Sequence, residues 1–220
     1  HRTLAKISRN GSTEQFVFQQ GVTYRSVPQG FSAALVQFLE LGVVHIFTGY
    51  DHILFLLGLL LATTRMLDAV KIITAFTLAH SLTLALAALD LVVLPSKLVE
   101  AGIALSIVYI AIENLVLRRG SRRWIVSFVF GLVHGLGFAG ALRNLSLPRH
   151  AQGLALGAFN VGVELGQLAI VAVALPVLYA ASRRGSYPRL VMGVGSLAIA
   201  WIAIVWFLER GFGFSLVPGR

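Results

Sequence analysis

The chain has no cysteine, which removes a disulfide framework, thiolate metal sites and a cysteine nucleophile together. Charge is nearly as scarce. Only 12% of the 220 residues are charged, against about 25% in an average globular chain. Asp and Glu together number 9. Any metal would therefore have to be held by histidine and a few carboxylates. What is abundant is apolar: 57% of residues are hydrophobic and mean hydropathy is +0.82. This composition excludes most soluble classes and points to a membrane protein. The formal charge of +9 could indicate nucleic acid, but Lys and Arg crowd the short gaps between apolar runs, so no nucleic-acid partner is expected.

Residues 1–30 differ from the rest. Thr3 to Ser8 alternates polar and apolar, Asn10-Gly11 is a strong hairpin-turn signal, and Gln15 to Phe18 resumes a strand. The segment reads as a β-hairpin. A lone hairpin is marginal in water, so it is expected to end a larger β domain or to lie against the membrane region. The chain opens at His1 with no signal peptide to be read, as an excised or processed piece would.

From Phe31 the apolar runs reach spanning length, since a hydrocarbon core of about 30 Å takes about 20 helical residues. Six helices are expected: 33–62, diving at about Leu41, then 69–89, 97–117, 123–142, 152–180 and 188–208. The fold class is thus an all-α integral membrane bundle of about six transmembrane helices, preceded by a short extracytoplasmic β-hairpin segment. Its parts are a β segment over 1–30, a membrane domain over 31–210 and a tail over 211–220. Gly131 and Gly135, Gly153 and Gly157, and Gly162 and Gly166 have the spacing of close helix packing. Pro176 should kink the fifth helix.

Basic residues orient the bundle. Arg65 with Lys71, Arg118 to Arg123, and Arg183 with Arg184 and Arg189 fall in loops on one side. That side is assigned as cytoplasmic, facing anionic lipid, which leaves both termini outside.

An ionisable side chain near a bilayer centre costs roughly 2.5 to 3.5 kcal/mol for Asp on insertion scales, so each one is a functional hypothesis. His45, Asp51 and His52 lie on helix one, His80 on helix two, Glu100 and Glu113 on helix three, His134 on helix four, and Asn160, Glu164 and Gln167 on helix five. His45 and His52 are two turns apart at nearly one azimuth, and Asp51 could join them or orient an imidazole. His52, His80, His134 and Glu164 come to similar depth near mid-membrane. Imidazole with carboxylate suits zinc, nickel, cobalt, iron or manganese. Glu100 and Glu113 are pathway candidates, although Glu113 could instead snorkel to the inner interface. Asn160 and Gln167 flank Glu164 as a polar stripe. A metal-free polar network locking the bundle is the alternative to a metal site. Phe128, Phe130 and Phe138 are most simply lipid-facing or packing residues.

At His45 the string HIFTGYDHILFLLGLLL resembles the first-helix signature of the HupE/UreJ family, a His, five residues and Asp-His before a Leu-rich run. The likeness continues through TLAHSLTLALA around His80, GLVHGLGFAGAL around His134 and FNVGVELGQ around Glu164. It covers roughly residues 31–208, and only the first motif is specific by itself. A β-rich segment before the helices is similar to the branch of the family with a large extracytoplasmic amino-terminal domain. The resemblance implies an accessory protein of hydrogenase or urease systems, or a secondary permease for nickel and sometimes cobalt. It implies a bacterial cytoplasmic membrane, and His45, Asp51 and His52 carry over by position. One departure concerns His134: hydrogenase-linked members follow a Phe-His-Gly motif closely with Glu, whereas Val133-His134-Gly135 is followed by no acid.

Three functions follow. The leading one is a secondary permease for a divalent transition metal, nickel or cobalt foremost, bound by His45, Asp51, His52, His80, His134 and Glu164. No nucleotide-binding loop is present to drive it directly with ATP. The second is an intramembrane zinc hydrolase acting on a lipid or peptide, with Glu164 or Asp51 as general base. The third is a sensory or structural partner that needs no metal.

Overall fold

The computed structural model describes residues 2–9, 12–19, 22–23, 31–63, 65–116, 122–138, 149–183 and 188–214. Three strands, β1 (Arg2–Arg9), β2 (Ser12–Gln19) and β3 (Val22–Thr23), form an antiparallel sheet in sequence order. Its register runs from Arg2 opposite Gln19 to Arg9 opposite Ser12. The turn anticipated at Asn10-Gly11 lies outside the described residues, as do residues 215–220 of the tail.

From Phe31 onward the described secondary structure is helical: α1 (Phe31–Thr48), α2 (Tyr50–Leu61), α3 (Met66–Ala88), α4 (Ser96–Val116), α5 (Arg123–Leu136), α6 (Arg149–Ser182) and α7 (Gly195–Phe212). A π-helical turn, Pro188–Val194, leads into α7. Among the described residues four helices are long and apolar enough to cross a membrane, or five when α1 and α2 count as one broken span. The expected six is corrected at two places. The first apolar run breaks at Gly49, where α1 and α2 meet at 69°. The fourth run ends as helix at Leu136 and is about 21 Å long at 1.5 Å per residue, short of a hydrocarbon core by itself. α6 runs on through Pro176 as a continuous helix.

The break at Gly49 leaves room for glycine alone and is nearly self-sufficient in hydrogen bonds. A Cβ there would meet the His45 carbonyl at 2.7 Å and His52 Nδ1 at 2.8 Å. The Gly49 N–H donates to the His45 carbonyl at 2.9 Å, and the Gly49 carbonyl accepts from the N–H groups of His52 and Ile53 at 2.9 and 3.2 Å. A corner inside a bilayer is tolerable only when its backbone groups are met in this way.

Small residues set the helix pairs. α3 and α5 run parallel in constant step: Ser127 Oγ donates to the Ile72 carbonyl at 2.9 Å, Gly131 rests on Phe76, and Gly135 rests on the His80 carbonyl and Thr83 Oγ1. α1 and α6 cross where Gly42 meets Phe159 and Gly162 meets Leu39, with Gly166 against Ile46. A Cβ at Gly153 or Gly157 would meet no described neighbour within 4 Å, so among the described residues no such close approach is seen at that pair. Apolar clusters fill the remaining space, one around Phe55, Leu59, Phe76, Ile107, Ile110 and Trp206 between α2, α3, α4 and α7. Many large apolar side chains, among them Leu67, Leu78, Leu105, Val173 and Trp201, face outward as lipid-facing residues would.

Candidate metal centre

The bend at Gly49 builds the site. On a continuous helix His45 and His52 would be separated by about 10 Å along the axis. Across the corner their ring centroids are 4.7 Å apart. His80, buried in the middle of α3, completes the group at 5.9 Å from His45 and 5.7 Å from His52. One ring nitrogen of each lies within 4.8 Å of the others, a grouping that could hold a metal ion. His134 of α5 adjoins His52 at 5.1 Å between ring centroids but stands outside that compact trio.

The walls are aromatic. Phe76 stacks on His80 at 5.7 Å and meets His52 and His134 edge-on. Phe55 lies 4.9 Å from His134, and Phe138 lies 4.3 Å from His45 while stacking on Phe159. Phe138, read as a packing or lipid-facing residue, thus touches the site, whereas Phe128 does face outward. Phe76 and Phe55 were overlooked, although helical spacing gave the signal: each lies one turn from a cluster histidine, on the same face.

Inside these walls both ring nitrogens of His52 and of His80 are buried and meet no hydrogen-bond partner among the described residues. A buried polar atom left unmet costs about 1 to 3 kcal/mol. His134 is fixed differently. Ser106 Oγ donates to the Ile103 carbonyl at 2.6 Å, so its lone pair faces His134 Nε2 at 3.0 Å. The serine must accept from Nε2–H, which leaves Nδ1 as the lone-pair nitrogen. That Nδ1 is also buried without a partner. Ser106 was not singled out from the sequence, because nothing local ties it to a histidine on another helix.

The carboxylates lie elsewhere. Asp51 Oδ1 is paired with Arg210 Nη1 of α7 at 2.9 Å. Glu164 accepts a hydrogen bond from Thr74 at 2.9 Å, and Gln167 accepts one from Thr77 at 3.1 Å, so the α6 stripe bonds to α3. Asn160 donates to the Leu156 carbonyl of its own helix at 2.8 Å. Glu100 is exposed. Glu113 does not snorkel: it is buried and paired with Arg123 at 3.2 Å. Arg123, counted among the loop charges, is therefore an interior residue. It also binds Asn114 and donates to the Leu59 carbonyl at 3.1 Å, while Asn114 donates to the Gly58 carbonyl at 2.8 Å. Together these groups satisfy carbonyls in the last turn of α2.

An apolar helical bundle with several candidate membrane-spanning helices encloses a buried imidazole cluster; the class is that of an integral membrane protein with a histidine cluster capable of coordinating a metal ion. The chain belongs to the HupE / UreJ protein family, whose family model matches residues 22–210. No curated protein and no solved structure matches the chain significantly.

Proposed function

We propose that the chain is a secondary permease for a divalent transition metal, nickel or cobalt foremost, and that the ion is its cargo. The observation carrying this reading is the convergence of His45, His52 and His80 at a helix break, with the ring nitrogens of His52 and His80 unmet. Broken helices inside a bilayer are a recurrent way of building ion sites in transporters. A neutral imidazole set replaces part of an ion's hydration without binding it irreversibly, as passage requires. His134, tautomerised by Ser106, serves as a fourth donor. Glu164, Asn160 and Gln167 line the route beyond the centre rather than the centre itself. Partnership of both Asp51 and Glu164 with other side chains weighs against a hydrolase, which would need a carboxylate base beside the metal.

In this reading the protein lies in a bacterial cytoplasmic membrane, its basic loops inside against anionic lipid and both termini outside. The strands of residues 2–23 then end an extracytoplasmic β domain, and the membrane domain spans 31–210.

Uptake of nickel or cobalt into proteoliposomes tests the assignment. Flux should fall sharply in His52→Ala and His80→Ala; full flux in folded variants would overturn it.

A further inference from the structure

We propose that Arg210 sets how firmly the histidine centre holds its ion, by competing with the ion for the Asp51 carboxylate. The proposal rests on the reading that the centre binds a divalent cation, and it assigns Arg210 a positioning role.

Asp51 stands in the first turn of α2, where a carboxylate is favoured by the helix dipole, and immediately precedes His52. Arg210 reaches the Asp51 carboxylate from the last turn of α7. The two side chains form an ion pair at 2.9 Å and are each about a quarter exposed, at 23% and 24%, so the pair lies at the rim of the centre and not within it. Arg210 is held from a second side, its guanidinium lying over the Trp206 ring at 4.9 Å. Its helix is held in turn, with Gly211 next to Ala101 of α4.

With Asp51 engaged in this way, the donors facing an incoming ion are neutral imidazoles. A carboxylate added to them would attract a divalent cation strongly in so apolar a setting. To gain it the ion must displace the guanidinium, whose positive charge then remains nearby and opposes the ion. Both effects lower affinity and ease release. Removal of the arginine charge leaves Asp51 to the ion.

Equilibrium binding of Ni2+ to the purified full chain in detergent decides between this role and a structural one. Arg210→Gln should bind Ni2+ about tenfold more tightly than the wild type and release it more slowly. Combining it with Asp51→Asn should return affinity to that of Asp51→Asn alone. In proteoliposomes Arg210→Gln should lower both KM and maximal uptake. A folded Arg210→Gln that binds equally or more weakly overturns the proposal. The His52→Ala, His80→Ala double variant keeps the two readings apart. If wild type binds Ni2+ and this variant does not, the metal centre stands whatever Arg210 does; if wild type does not bind, both readings fall. Should Arg210→Gln not fold, infrared difference spectra of wild type with and without Ni2+ provide the test. A carboxylate band absent from Asp51→Asn supports the exchange of partners, and no Asp51-dependent band overturns it.

Discussion

Ser106 Oγ lies 3.0 Å from His134 Nε2 and sends its own proton to the Ile103 carbonyl. One hydroxyl on α4 therefore decides which nitrogen of a histidine on α5 carries a lone pair. Partners that orient a ligating histidine are typically worth about 10- to 100-fold in metal affinity. Ser106→Ala should weaken Ni2+ binding within that range while the bundle stays folded, as calorimetric titration of the variant would show. Unchanged affinity would remove His134 from the donor set.

The Arg123–Glu113 pair makes a different prediction, for stability. Both side chains are buried, at 5% and 8% exposure, and loss of one partner from a buried pair costs about 3 to 5 kcal/mol because the other charge is left uncompensated. Glu113→Ala should lower the unfolding midpoint of the detergent-solubilised protein markedly. Replacing both residues with apolar ones of similar size should be milder, since no orphan charge then remains.

Gly135 is where α5 touches the backbone beneath His80. A Cβ at this position would collide with the His80 carbonyl and Thr83 Oγ1, so Gly135→Val should push α5 outward and abolish metal binding. Gly153→Ala, at a position with no described neighbour within 4 Å, should leave binding as in the wild type. Parallel titrations of the two variants check the contrast.

Glu164 is bonded to Thr74 and lies outside the compact histidine group. Glu164→Gln should therefore keep Ni2+ affinity close to that of the wild type while uptake into proteoliposomes falls. Loss of binding along with flux would bring Glu164 back into the centre.

Imidazole must be deprotonated to ligate, so protons compete with the ion at every cluster histidine. Rings that are buried and neutral before the ion arrives have no proton to give up, so binding should release few protons near neutral pH and should weaken only in acid. Titrations in buffers of different ionisation enthalpy measure that release directly, and an affinity that stays unchanged into strong acid would contradict an all-imidazole site.

Much of this arrangement is written locally. The length and polarity of each run follow from the bilayer as solvent, so the apolar helices, and the presence on them of His45, His52, His80 and His134, could be read from the chain. So could the glycines at 131, 135, 162 and 166, because small-residue spacing is a property of one helix face. The corner at Gly49 could not. It sets the His45 carbonyl and the His52 ring against one Cα that carries no side chain, and it turns two histidines expected two turns apart into neighbours. Nor could the fate of the charges be read. Asp51 meets an arginine from the far end of the chain, and Glu113 and Arg123 fold inward on each other. The sequence by itself determined which groups ride on apolar helices, since the character of each segment depends on its own composition. Only the tertiary structure decided which of them meet, because pairing of an imidazole or a carboxylate depends on helix bends and crossings that no single segment encodes.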